Sequence, residues 1–339
     1  MQLIQGSPHA VFTMGDASRV GEARRHAAAL SAELGFGEVE AGRLALVVTE
    51  LGTNLVKHAR AGRLLIATRR HGESAEVEVL SVDEGPGIDN LEQCMGDGFS
   101  TGGSPGTGLG ALRRLADSFD IHSRAPGGTL AVARVRASRK ADPAQGAFRI
   151  GVVALCCPGE KVCGDGWSFA SNGQQASLMM ADGLGHGPDA EEAAEAALRQ
   201  FRKSPFSALG TLMEDCHAVM RATRGAAVAA AQLDAGASKI RSAGAGNIIM
   251  RVASGTSDKT LLSQHGTLGV QMRRPEEFTT DWPRHAVLAV HSDGVMARWP
   301  SQALSGLLGH DPSLAAALLV RDFCRGKDDA TAMVIRRKE

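Results

Sequence analysis

"SVDEGPGIDN", residues 81–90, ends an apolar run on a carboxylate, Asp83, set beside two glycines and a proline. The residues leading into it, "AEVEVLSV" (75–82), alternate apolar and polar as a half-buried strand does. Asp83-x-Gly85-x-Gly87 therefore stands where a strand gives way to a turn, and its glycines leave the backbone open to close approach. Upstream, "LVVTELGTNLVKHA" (46–59) has helical spacing and puts Glu50 and Asn54 four residues apart, on one face. Downstream, "GTGLG" opens a further helix: Gly106, Thr107, Gly108, Leu109 and Gly110 let backbone amides approach phosphate at a positive helix end. No Lys-Ser/Thr follows these glycines and no GxGxxG follows a first strand, which excludes a P-loop and a dinucleotide fingerprint.

Composition narrows the classes further. The chain has 339 residues, enough for two domains with their own cores. Lysine plus arginine (37) equals aspartate plus glutamate (37), which gives no case for nucleic-acid binding. No apolar run approaches the roughly 18 to 20 residues of a membrane span. The start lacks the layout of a secretory signal, and the six cysteines show no CxxC pairing. A soluble cytoplasmic protein with reduced thiols is expected, with neither nucleic acid nor membrane as partner. "CCPGEKVCGD" (156–165) holds three cysteines, but Cys156 and Cys157 point to opposite faces of a strand and nothing completes a tetrahedral zinc set.

The polar stretch "ASRKADPAQGAF" (137–148) divides the chain. The expected organisation is a first domain over 1–138, a linker over 139–147 and a second domain over 148–339. The first reads as two helices (17–34 and 37–60), strands "RLLIATRR" and "AEVEVLSV", a glycine-rich loop, helix "GLGALRRLADSF" and strands "FDIHS" and "TLAVARV". That order suits an α/β sandwich with one sheet face covered. The second reads as eight strands, among them "FRIGVVALC", "QASLMMAD", "AAVAAAQLD" and "ATAMVIRR", with helices near 189–203, 206–222 and 312–324. A helix-flanked antiparallel β-sandwich is the economical packing, so the fold class is α+β in two domains.

Together, Glu50-x-x-x-Asn54, Asp83-x-Gly85-x-Gly87 and "GTGLG" resemble the GHKL (Bergerat) family of ATP-binding domains. The resemblance implies that Asn54 holds Mg²⁺ on the ATP phosphates, that Glu50 is the general base, and that Asp83 accepts from the adenine amino group. Each role suits its group: an amide oxygen is a hard-cation ligand, a carboxylate takes a hydroxyl proton, and an acceptor-only group reads an amine. Thr129 in "GGT" matches the second adenine contact, and a strand-capping threonine is the other reading. "ELGFGEVEAGRLALVVTEL", "DEGPGI" and "MGDGFSTGGSPGTGLGALRRLADSFDIHS" look in addition like the RsbT-like switch kinases, over residues 10–137. Such kinases phosphorylate serine or threonine on STAS-domain proteins.

The second half repeats acidic residues at strand ends: Asp165 in "CGDGW", Asp182 and Gly183 in "MMADGLGHG", Asp293 in "VHSDGV", Asp328 and Asp329 in "GKDDATAMVI". One Asp-Gly is a turn. Several on one rim repel one another, and divalent cations are the ordinary remedy. Their order resembles the PP2C-type phosphatases of the SpoIIE and RsbX branch over 148–337. By that resemblance Asp165, Asp182, Asp293, Asp328 and the Gly183 carbonyl hold two Mn²⁺ or Mg²⁺ ions that activate water against a phosphoserine or phosphothreonine. Asp329 orients rather than ligates, His186 stands near the leaving group or packs its loop, and Arg149 is a positional candidate for phosphate.

The combined expectation is a switch protein that writes and erases one mark on a STAS-domain regulator, of RsbS/RsbR or anti-sigma-antagonist type, using ATP with Mg²⁺ in the first domain and two divalent ions in the second. The alternative is a phosphatase whose N-terminal domain senses ATP or holds a partner without phosphoryl transfer.

Overall fold

A computed structural model describes residues 1–95, 108–138 and 146–338. They divide into two units: His9–Pro143, and Ala144–Glu339 together with Met1–Pro8. The first eight residues thus group with the second unit. Strand β1 (Gln2–Gly6) pairs antiparallel with β8 (Asp165–Asn172), Ile4 opposite Phe169, and Ile4 enters the second unit's core. Five residues are too few for a periodic signal, so nothing in the sequence marked this strand.

In the first unit the sheet runs β2 (Ala10–Thr13), β3 (Arg63–His71), β4 (Ser74–Val82), β6 (Thr129–Arg136) and β5 (Ser118–Ser123), each neighbouring pair antiparallel. Helices α1 (Ala17–Glu33), α2 (Glu38–His58) and α4 (Leu109–Leu115) lie over one face, and α3 (Leu91–Cys94) is a single turn. Strand alternation sends Leu64, Ile66, Val77, Val79, Ala131 and Ala133 to that face, where they meet Val20, Leu44, Val48, Leu51 and Leu112. Asp16 caps α1 by accepting from the Ser18 amide at 2.7 Å. Glu38 and Glu40 open α2 while Lys57 and His58 close it, matching its dipole.

In the second unit one sheet runs β14 (Phe278–Asp281), β11 (Lys239–Ala245), β10 (Ala226–Asp234), β9 (Gln175–Gly183), β8 and β1. The other runs β13 (Asp258–Thr260), β12 (Ile249–Ala253), β15 (Val287–His291), β16 (Ala330–Arg337) and β7 (Phe148–Leu155). Their facing residues, among them Phe169, Leu178, Met180, Ile150, Leu288 and Met333, form one core. The alternate residues of the first sheet, such as Met179, Ala181 and Val228, pack under α5 (Pro188–Lys203) and α6 (Leu209–Val219). Helix α7 (Pro312–Phe323) lies directly on β7: a side-chain carbon at Gly151 would sit 1.9 Å from the Ser313 nitrogen, so only glycine fits. The layering is α-β-β-α, as the strand pattern implied. Among the described residues no helix is long and apolar enough to cross a membrane.

Candidate active sites

In the first unit a cavity of about 550 Å³ opens between α2, the β4 end and the start of α4. Glu50, Asn54, Asp83, Gly87, Gly108, Leu109 and Thr129 all line it, so residues spread over eighty positions meet at one wall. Gly85 and Gly110 stand just outside the lining. Gly85 donates its amide to Asp83 Oδ1 at 2.6 Å, which fixes that carboxylate in its turn, and Gly110 is buried in α4. Gly106 and Thr107 lie outside the described residues.

Local chemistry explains the turn. Gly87 has φ +82°, and a side-chain carbon there would meet the Arg124 carbonyl oxygen at 2.4 Å. The Asp83 amide donates to the Thr129 carbonyl at 3.1 Å, and the Thr129 hydroxyl shares a 2.9 Å hydrogen bond with Ser123, whose oxygen accepts from the Ile88 amide at 2.8 Å. Asp83 is 7% exposed, a carboxylate held at the cavity wall by a backbone donor. Glu50 is half-buried, and burial raises its pKa above the ordinary value while Lys57 pulls it back. Ile88, Ile121 and Ala131, which sequence reading missed, join Leu109 in the apolar part of the lining. Each comes from a different element, so no local pattern joins them.

In the second unit the register of β8 and β9 sets Asp165 directly opposite Asp182. Asp165 is buried. Its Oδ2 accepts from the Ser292 hydroxyl at 2.6 Å, while Oδ1 is buried with no hydrogen-bond partner. Burial pushes its pKa to about 7 against the pull of Ser292, with the Asp329 and Asp293 charges adding to the rise. Asp182 is pushed to about 9 by burial and then by Asp165, Asp293 and Asp328. Asp293 is raised by burial and by Asp328, while Asn247 donates to its Oδ2 at 2.7 Å. The carboxylates of four strand ends, those of β8, β9, β15 and β16, thus act on one another.

Gly183 lies where a side-chain carbon would be 2.1 Å from the Ala190 carbonyl oxygen, so α5 presses on the Asp182–Gly183 strand end. Asp329 is 3% exposed and fully engaged: Oδ1 accepts from the Cys157 amide at 2.7 Å and Oδ2 from the Gly164 amide at 2.9 Å. It ties loops together, which fits an orienting role. Asp328 Oδ1 accepts from the Asp329 amide at 2.9 Å. His186 bonds Glu160 at 2.7 Å on the surface. Arg149 is exposed at the start of β7, opposite Arg336 and at the far end of the strand from Leu155, which leads to the acidic rim. That position removes it as a phosphate ligand for this site. Ser292 and Asn247 are supports that sequence reading missed; Ser292 adjoins Asp293, and Asn247 carries no signal at all.

Among the described residues no group of three or more His, Cys, Asp or Glu side chains is gathered closely enough to hold a metal ion as it stands. The donor set is nonetheless all-oxygen, charged and short of counter-ions, with an unbonded buried oxygen on Asp165, which is what hard divalent cations take. The residues fit such ions.

Comparison with known proteins follows the same division. Residues 14–134 match the histidine kinase-like ATPase domain family, and residues 172–338 match the stage II sporulation protein E family. The serine/threonine-protein kinase RsbT of Bacillus subtilis (strain 168) is 37% identical over 97 residues, 29% of this chain and 73% of RsbT. A solved chain of the bacterial stressosome, described as a modular system adapted to control secondary messenger signaling, is 27% identical. It covers 56% of this chain and 99% of its own at a TM-score of 0.53. RsbX solved in complex with magnesium is 19% identical over 56% of this chain and 96% of its own, with a TM-score of 0.51, a likeness of fold.

Proposed function

This chain belongs to the family of RsbT-type histidine kinase-like ATPases and joins that unit to a SpoIIE-type PP2C phosphatase domain, and from that premise we propose a single polypeptide that both writes and erases a phosphate on one partner. The partner class is a folded STAS-domain protein carrying a serine or threonine, and the co-substrate of the first unit is ATP with Mg²⁺.

The observation that carries the reading is the meeting of Glu50, Asn54 and Asp83 in one cavity. A module that only senses nucleotide needs Asp83 and an apolar floor; it has no use for a carboxylate four residues from the cation-binding amide. In the first unit Asp83 accepts from the adenine amine, Ile88 and Ile121 flank the ring, Asn54 offers its amide oxygen to the cation, and Glu50 takes the proton of the attacking hydroxyl. Glu50's raised pKa suits it to holding that proton briefly and losing it again.

In the second unit Asp165, Asp182, Asp293 and Asp328, with the Gly183 carbonyl, are the residues that hold Mn²⁺ or Mg²⁺. When bound, two such ions supply a nucleophile at neutral pH and stabilise the charge of the phosphoryl group. Ser292 fixes one oxygen of Asp165 and leaves the other for a cation, Asn247 does the same for Asp293, and Asp329 keeps the loop before β8 in place.

The test combines the purified chain with the STAS-domain protein encoded beside its gene, labelled ATP and Mg²⁺. Asp182→Ala is expected to accumulate phosphorylated partner, wild type to show little and Glu50→Ala none. If no variant labels the partner but wild type strips phosphate from a prephosphorylated one, the first unit is a nucleotide-binding regulator instead.

A further inference from the structure

Leu184 follows directly on the Asp182–Gly183 strand end and is 47% exposed. The β9–β10 ladder carries on one step past β9 to reach it: Gly183 pairs with Ala226, and the Leu184 amide donates to the Gly225 carbonyl at 3.0 Å. Alternation gives Leu184 the face that Asp182 takes. Its cross-strand neighbour, Gly225, has φ +84° and no side chain. A side-chain carbon there would lie 2.9 Å from Val270 Cγ2. Directly opposite side-chain carbons stand about 5 Å apart, so Val270 takes the place beside Leu184 that Gly225 leaves open.

Val270 is 63% exposed and sits in a turn anchored by its own backbone. Thr267 and Gln271 exchange amide-to-carbonyl bonds of 2.7 and 2.9 Å, Leu268 and Ala226 exchange bonds of 2.9 and 3.1 Å, and the Gly269 amide donates to His217 Nδ1 at 3.0 Å. The turn thus holds Val270 in place before any ligand arrives. Arg224, the residue before Gly225, turns away from this pair. Its guanidinium is paired with Asp189, and Nη1 lies 3.4 Å from the side-chain position of Gly185, the residue that alternates with Leu184. One exposed aliphatic side chain is ordinary. Two side by side, both fixed by backbone bonds at the strand end that presents Asp182, serve no core.

We propose that Leu184 and Val270 form an apolar lip on the acidic site, selecting phosphoserine or phosphothreonine segments that carry an apolar residue beside the phosphorylated one. The phosphate is drawn to the acidic rim once divalent ions neutralise it. The residue flanking it then passes over the chain that continues from Asp182 into Leu184. An apolar side chain there leaves water against both lip residues, which is favourable in proportion to the area covered. Glycine in the same place has nothing to bury. The occupant is the substrate segment and not a second copy of this chain, because the segment brings the negative charge that the adjoining ion site takes.

This selection rests on the phosphatase reading, and the experiment keeps the two apart. Two phosphoserine peptides are compared, identical except that leucine or glycine flanks the phosphoserine, with p-nitrophenyl phosphate as a small reference substrate. For the full chain with Mn²⁺, kcat/KM for the leucine peptide is expected to exceed that for the glycine peptide about tenfold. Leu184→Ser combined with Val270→Ser should bring the ratio close to one with Mn²⁺ affinity kept. Val39→Ser, which removes an equally exposed apolar side chain from the first unit, should keep the preference. Separately, a non-hydrolysable phosphonate form of the leucine peptide, titrated into the Mg²⁺-loaded chain, should shift the methyl NMR signals of Leu184 and Val270 and leave Val39 in place. Equal rates for the two peptides, a preference that survives the double change, cleavage of p-nitrophenyl phosphate alone, or unmoved Leu184 and Val270 methyls each overturns the proposal. So do methyl shifts that follow chain concentration alone, which assign the pair to a second copy. A chain that cleaves none of the three substrates yet shifts those methyls overturns the phosphatase reading and keeps the lip as a binding site.

Discussion

A single buried carboxylate costs stability when charged, and two facing each other cost more. Asp165 and Asp182 have folded pKa values of about 7 and about 9, above their ordinary value near 3.8. The folded state therefore holds their protons more tightly than the unfolded chain does. For groups raised in this way, stability is fully present below the unfolded pKa and drains away as pH rises through the folded one. Chelated protein should lose melting temperature steadily between about pH 4 and pH 9, and Mn²⁺ should restore more of it at pH 8 than at pH 6, as scanning calorimetry will record. Asp182→Asn should stabilise the chelated protein at pH 8 and abolish the Mn²⁺ response; an Mn²⁺ shift equal at both pH values would sink the assignment. Glu50 follows the same logic on the kinase side. Its pKa is raised by burial, so transfer falls with acidification at a higher pH than an ordinary glutamate would give. Glu50→Gln should cut single-turnover transfer by about 10²- to 10⁴-fold with nucleotide affinity kept, and an equal loss of affinity would mean the carboxylate serves binding instead. These residues were legible because their spacing is local: four positions on a helix, or one strand end. Ile88 and Ile121 were not, since only folding brings them beside Asp83.

Element by element, alternation located nearly every long strand but misjudged one face. In "AEVEVLSV" the glutamates occupy positions that ordinarily point to water, yet Glu76 and Glu78 are 4% and 0% exposed. Cross-strand register supplies their partners: Glu78 stands opposite Arg134, and Glu76 opposite both Arg69 and Arg136. Arg134 Nη2 and Arg69 Nη1 lie 2.6 and 3.0 Å from Glu78 Oε2. Burial works to raise Glu78, and the two guanidiniums overcome it and hold the carboxyl well below its usual range. A period of two records which face a residue takes but not whether that face stays wet, which is why the ladder was invisible in the sequence. Removing one partner of a buried pair costs about 3–5 kcal/mol because an uncompensated charge remains. Arg134→Met should destabilise by that order in denaturant titrations, and the double change Arg134→Met with Glu78→Gln should recover part of the loss. A double variant no better than the single one would show that Arg134 acts through packing of its stem.

At the scale of the whole chain, the second unit is discontinuous: it begins at Met1, breaks after Pro8 and resumes at Ala144. The polar, Pro-containing stretch at 137–148 is a mark that composition can carry, whereas the five residues of β1 leave no comparable one. Physically the strand matters twice. It covers the backbone edge of β8, the strand that carries Asp165 at its start, and it inserts Ile4 into the core between the sheets. An uncovered edge strand exposes unpaired donors and acceptors that invite pairing with other chains. A phosphatase fragment starting at residue 144 is accordingly an incomplete sheet. Ile4→Ala removes most of a buried side chain, a loss of about 2 kcal/mol, or about 4–8 °C in a unit of this size. Deleting residues 1–8 should lower the melting temperature further and accelerate amide exchange along Phe169, Ala170 and Ser171, the residues registered against β1, while amides of β16 and β7 in the other sheet change less. Exchange in β8 that stays as slow as in the full chain would show that the first strand is an ornament of this fold and that the acidic rim is held by residues 144–339 alone.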